Sequence, residues 1–265
     1  MLKANYSNLF RGVDENVRHG CVLAPIKRLR KNLAFTLAEV LITLGIIGIV
    51  AAMVIPSLIN AYQKHVTVTR LKQTYAQITQ AVKLSEADNG DLSGWDMSTP
   101  DWHNYDAGAT EKFARTYIVP YLKYNHLCGK GQTSCTKYSS KYLHGGRIAG
   151  LENYFTIVLM NGVILKIFAR DTWSEIFIDI NGSSGANTLG KDLFVIVLNK
   201  TAAGVPMKNR VSGVFMYGNG FTREQLLKTG YNNYICSMQG GAFNGYYCGE
   251  VIRLDGWKIS KDYPW

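Results

Sequence analysis

The spacing of apolar residues changes character several times along the chain. From Val40 to Gln63, 24 residues pass without a charge. That is enough for a helix to cross a bilayer, which takes about 20. Beyond Lys64 the pattern becomes helical: Leu71, Tyr75, Ile78, Val82 and Leu84 recur among Lys72, Gln73, Gln77, Gln80 and Lys83. Such spacing predicts one apolar stripe, suited to packing under a sheet. Asn89-Gly90 is a stop signal, so a single helix is predicted over 35–88, about 80 Å long at 1.5 Å per residue.

Strand signals follow a connecting region, 89–150, rich in Gly, Asp, Ser and Tyr. Within it Thr110 is the expected N-cap of a short helix carrying Phe113, Tyr117 and Ile118. Pro120 should end that helix. Strands are predicted over 154–160 and 163–169, flanking Asn161-Gly162 as a type I′ turn, and again over 175–180 and 193–199. Thr222 and Gln225 form a capping-box pair opening a helix that ends near Gly230. Asp255-Gly256 reads as a hairpin turn, with Trp257, Tyr263 and Trp265 covering the sheet edge. These elements predict an α+β fold, a long N-terminal helix packed on an antiparallel sheet.

The start of the long helix carries the most specific signal. Lys27, Arg28, Arg30 and Lys31 precede Ala34-Phe-Thr-Leu-Ala-Glu39, and the apolar run continues to Pro56. A secretory signal peptide has a shorter apolar region, about 7–15 residues, and a small-residue cleavage site after it. An ordinary signal anchor has no reason to hold Glu39 at its edge, where a carboxylate is costly. The arrangement closely resembles the prepilin cleavage and methylation segment of type IV pilins and type II secretion pseudopilins.

The resemblance implies a membrane peptidase that cuts between Ala34 and Phe35 and N-methylates Phe35. It implies that Glu39 serves filament assembly and that Pro56 kinks or loosens the helix. It further implies the pilin fold, divided into a leader (1–34), a transmembrane and assembly segment (35–59), an amphipathic half-helix (60–88) and a globular head (89–265). The expected partners are prepilin peptidase, other pilin or pseudopilin subunits, an inner-membrane assembly platform and the lipid bilayer. The expected location is the cytoplasmic membrane, single-pass, with the head outside the cytoplasm and then in a filament. Two departures stand out: Ala34 replaces the usual glycine before the cut, and the leader is long.

Charge adds orientation and little else. The full chain carries +10, but seven of its 29 Lys/Arg and two of its 19 Asp/Glu lie in the leader. Half of the excess therefore sits on the cytoplasmic side of the span. No clustered basic stripe of the kind nucleic-acid binding needs is evident; Lys64, Arg70 and Lys72 read as a solvated face close to a membrane.

Cys21 lies in the leader, which leaves Cys128, Cys135, Cys236 and Cys248 in the head. An even number in an exported domain favours disulfides. Cys128–Cys135 and Cys236–Cys248 are the favoured pairs because each closes a short Gly-rich loop. A four-cysteine zinc site is the rival, although six and eleven intervening residues are poor zinc spacings.

No G-x-S-x-G, H-E-x-x-H or P-loop is present, and the expectation is a protein that is not an enzyme. Asp179, Asn181 and Asp192 bracket a Gly- and Asn-rich loop whose oxygen side chains suit a hard cation such as calcium. The competing reading is a set of turn residues bonded to their own backbone. Two functions remain in view: a minor or accessory filament subunit, and a signal-anchored exported head that binds a ligand or does chemistry.

Overall fold

One helix, α1 (Leu37–Asn89), takes up both the uncharged run and the apolar stripe. The computed structural model describes residues 35–97, 106–129, 132, 135, 139–170, 172–182, 184–185, 187–200, 211–230 and 233–265. The described residues fall into two units, divided between Ala52 and Met53. In the first unit α1 leaves Leu37, Ile42 and Ile46 exposed. Pro56 lies inside the helix, which continues through it to Asn89; Gly90, at φ +80°, then leaves the helical path.

In the second unit the helix buries Val68, Leu71, Thr74, Ile78, Ala81, Val82 and Ser85. Leu84, expected on this stripe, is 49 % exposed. Successive residues turn by about 100°, so the inward position after Val82 falls to Ser85 and not to Leu84. A second helix, α2 (Ala107–Tyr117), begins earlier than expected: its N-cap is Asp106, whose Oδ1 accepts from the Ala109 N–H at 3.0 Å. Thr110 is instead buried within α2, where its hydroxyl oxygen accepts from Ala169 N.

The strands of the head are β1 (Tyr124–Cys128), β2 (Ser140–Lys141), β3 (Phe155–Leu159), β4 (Ile164–Ala169), β5 (Trp173–Asp179), β6 (Asn187–Thr188), β7 (Leu193–Asn199), β8 (Gly213–Met216), β9 (Tyr234–Ile235) and β10 (Phe243–Asn244). Six make an antiparallel sheet in the order β1-β3-β4-β5-β7-β8. Two small parallel pairs, β2–β6 and β9–β10, lie outside it.

All residues of β5 and β7 are buried. Both faces of these strands are covered; β7 reads as a nearly continuous apolar run, while β5 buries Ser174, Glu175 and Asp179 among its apolar residues. Phe177 pairs with Val195 across the β5–β7 register, which turns the neighbouring Phe194 to the opposite face. Tyr246 packs edge-on against Phe177 at 5.7 Å. On the other face, Gly249 of α3 (Cys248–Leu254) lies against Phe194.

Three local predictions change on inspection. The β3–β4 connection is a three-residue loop: Gly162 donates to Leu159 O at 3.0 Å, and Leu159 donates to Val163 O at 2.9 Å. Gly162 takes a positive φ and Asn161 does not. A type I′ turn needs both; this is a type I turn closed by a bulge. Asp255-Gly256 is no hairpin. It ends α3, with Gly256 N–H donating to Arg253 O and Trp257 N–H to Ile252 O, the two bonds of a Schellman cap. Trp257 then packs against Tyr75 of α1 at 5.8 Å, and the Tyr75 hydroxyl donates to Val214 O of the edge strand β8 at 3.1 Å. The Thr222–Gln225 capping box is present, with bonds of 2.9 and 3.3 Å. The helix it opens is a π-helix, Gln225–Thr229, closed by Gly230 N–H on Gln225 O.

Candidate functional site

Two regions hold the predicted site residues. At the N-terminal one, Phe35 is 85 % exposed, and Ala34 lies outside the described residues. Thr36 caps α1. Its N–H and hydroxyl both donate to Glu39 Oε2 at 2.8 Å, while the Glu39 N–H donates to Thr36 Oγ1 at 3.2 Å. This is a reciprocal capping box, and its signature, Thr-x-x-Glu, stands in the sequence beside the feature that drew attention to Glu39. The carboxylate therefore has a local task on Oε2. Among the described residues Oε1 has no partner.

The second region is the loop between β5 and β7, which does bring Asp179, Asn181 and Asp192 together. Asp179, fully buried at the end of β5, accepts from Gly182 N at 2.8 Å and from Asn187 Nδ2 at 2.6 Å. Asn181 Nδ2 donates to Asp192 Oδ2 at 3.1 Å, and Thr188 N–H donates to Asp192 Oδ1. Burial pushes the Asp179 carboxyl up to about 7 and that of Asp192 to about 6; the hydrogen bonds each accepts work against this. Asn187, not singled out from the sequence, is the missed member of the cluster. Asn181 Oδ1 and Asn187 Oδ1 are buried acceptors without a hydrogen bond. Two carboxylates and two unspent amide oxygens form a donor set compatible with a hard cation.

Two further ionisable groups are buried on the same face of the sheet. Glu175 and Lys166 pair with Phe168 and Phe177 respectively, which makes them diagonal neighbours. Burial raises the Glu175 carboxyl to about 7, against the pull of the Arg170 guanidinium. Lys166 in turn favours the ionised form of Asp179.

The four head cysteines are joined as Cys128–Cys135 and Cys236–Cys248. A four-cysteine zinc site would need these sulfurs as thiolates. His126 lies beside the first pair, its ring nitrogen within 4.8 Å of both sulfurs.

A long apolar helix capped at Thr36, followed by an antiparallel sheet, fits the fold of a type IV pilin-like protein, with an N-terminal helix long and apolar enough to anchor it in a membrane. Comparison with known families agrees: residues 29–55 match the prokaryotic N-terminal methylation motif. Residues 57–265 match a family of unknown function, DUF6613, and the chain belongs to that family. No curated protein and no solved structure matches it.

Proposed function

We propose that this protein is a minor or accessory subunit of a type IV pilus or type II secretion pseudopilus-like filament. It is cleaved between Ala34 and Phe35, N-methylated on Phe35, held in the cytoplasmic membrane with its head outside, and passed to an assembly platform that adds it to other subunits. The observation that carries this reading is the match of 29–55 to the methylation motif on a helix that is bare in its first half and packed in its second. Cleavage gives Phe35 a positive amine. In a staggered filament the amine of one subunit can meet the free Glu39 oxygen of another, a pair strengthened by low-dielectric surroundings. The absence of recognised catalytic motifs supports a structural role over a catalytic one. Intact-mass analysis of the membrane fraction tests the reading. A chain beginning with methylated Phe35 is expected; a stable species retaining Cys21 favours the signal-anchored alternative.

The unspent oxygens of Asn181 and Asn187 beside Asp179 and Asp192 support a second assignment within this reading, a calcium ion held by the head loop. Calcium would then raise the melting temperature of the head by mass action, and Asp179→Ala would abolish the response.

A further inference from the structure

A cavity of about 470 Å³ lies between α1 and the β5–β7 loop, with Arg70, Lys191 and Trp265 among its walls. Its level along α1 is informative. Tyr62 and Gln63 line it and are the last two residues of the uncharged run. Arg70 stands seven residues further on, about 10 Å along a helix. The headgroup layer of a bilayer is about 5–8 Å deep on each side, so the cavity begins where hydrocarbon ends and spans that layer. Aromatic rings such as those of Tyr62 and Trp265 favour this depth.

The walls carry two cations, Arg70 and Lys191, against one carboxylate, Asp192. Arg70 Nη1 donates to Ile180 O at 2.9 Å, which pins the guanidinium and leaves four of its five N–H groups. Lys64 Nζ stands 5.7 Å from the Trp265 ring centre. Among the described residues Lys64, Arg70 and Lys191 make no ion pair. Asp192 also lines the cavity; Lys191 favours its ionised form, and its two oxygens are turned to Thr188 N and Asn181 Nδ2, which leaves a net positive wall. Below the cavity Ile55, Leu58 and Ile59 are each at least half exposed. With Tyr62 they form one stripe at spacings of three and four, leading from hydrocarbon depth to the cavity mouth.

We propose that this cavity takes the phosphate of a membrane glycerophospholipid, between Arg70 and Lys191, with an acyl chain lying along the stripe. The proposal rests on the membrane anchor and not on filament formation. Inorganic phosphate offers the same anion without the chain, and the stripe favours the lipid.

The full chain is reconstituted into nanodiscs of phosphatidylethanolamine and phosphatidylglycerol containing a trace of phospholipid with a photoreactive headgroup. Irradiation should place adducts on peptides holding residues 63–70 and Lys191. In the Arg70→Ala/Lys191→Ala variant the adducts should fall about tenfold or more, as expected from the loss of two basic groups near a lipid surface. Lys191→Glu alone spares the Arg70–Ile180 bond and should give the same direction of loss at unchanged head melting temperature. Labelling that these substitutions leave unchanged overturns the proposal. Labelling abolished by millimolar inorganic phosphate also overturns it, in favour of a free-anion site. Unaltered labelling together with loss of the variant from sheared filaments would reassign the cavity to subunit contact.

Discussion

Between Leu37 and Ile59, α1 leaves its large side chains bare, with Ile42 63 % and Leu58 64 % exposed; between Val68 and Ser85 it covers Leu71 and Ile78 completely. The first stretch carries no charge after Glu39, and the second sets fewer aliphatic residues among Arg70, Lys72, Lys83 and several glutamines. The first is apolar all round, which suits lipid or neighbouring helices, and the second is apolar on one stripe, which suits a sheet. An exposed apolar surface of this extent signals a non-aqueous partner. One helix thus serves two solvents, and the Glu39 cap marks the end that must leave water.

The largest expected effect comes from exchanging the same mutation between the halves. Ile78→Ala should destabilise the head by about 2–5 kcal/mol, the cost of an aliphatic cavity in a packed core. Ile46→Ala should change head stability by no more than about 0.5 kcal/mol. Denaturant unfolding of the full chain in detergent, followed by head fluorescence, measures both. Equal losses would break the comparison.

The disulfides sharpen it within the head. Replacing Cys236 and Cys248 together by Ser should cost about 2–5 kcal/mol, since that pair ties the π-helix region to α3. Removing Cys128–Cys135 should cost less, because it closes a shorter loop at the end of the edge strand β1. Melting curves of the two double variants rank the pairs.

A smaller effect concerns pH. Glu175 and Asp179 titrate near 7 and Asp192 near 6 in the fold, against ordinary values near 4 in the unfolded chain. Between these limits the folded head binds more protons than the unfolded one. Its stability should therefore fall as pH rises from about 4 to 7 and level off above. Glu175→Gln should flatten the slope. Calcium, by holding Asp179 and Asp192 ionised, should flatten it further if the loop binds it. A melting temperature that rises across this range would contradict the burial of these carboxylates.

Much of this was legible because local signals agreed. The uncharged run, the stop at Asn89-Gly90 and the Thr222–Gln225 capping box each depend on neighbours a few residues away. Asp255-Gly256 misled because an Asp-Gly pair fits both a hairpin and a Schellman cap; whether the preceding turn is helical decides. Thr110 lost the cap to Asp106, whose carboxylate accepts from the Ala109 amide and starts the helix one turn earlier. The edge strand β1, largely exposed over Tyr124–His126, lacks an apolar run to announce it. Glu175 and Lys166 look like solvent-facing strand residues. They are buried because aromatic rings from distant segments, Tyr246 among them, close over that face, which local pattern does not encode.

In the filament role proposed above, the Glu39 charge, and not only its capping of Thr36, places the subunit. Glu39→Gln separates the two tasks, since glutamine at this position still accepts from the Thr36 N–H but carries no charge. Immunoblots of sheared filaments against membranes make the measurement, with head folding and cleavage checked in the same samples. The expected result is a cleaved, folded Glu39→Gln subunit that stays in the membrane and is lost from filaments. Incorporation of that variant at the wild-type level would contradict it.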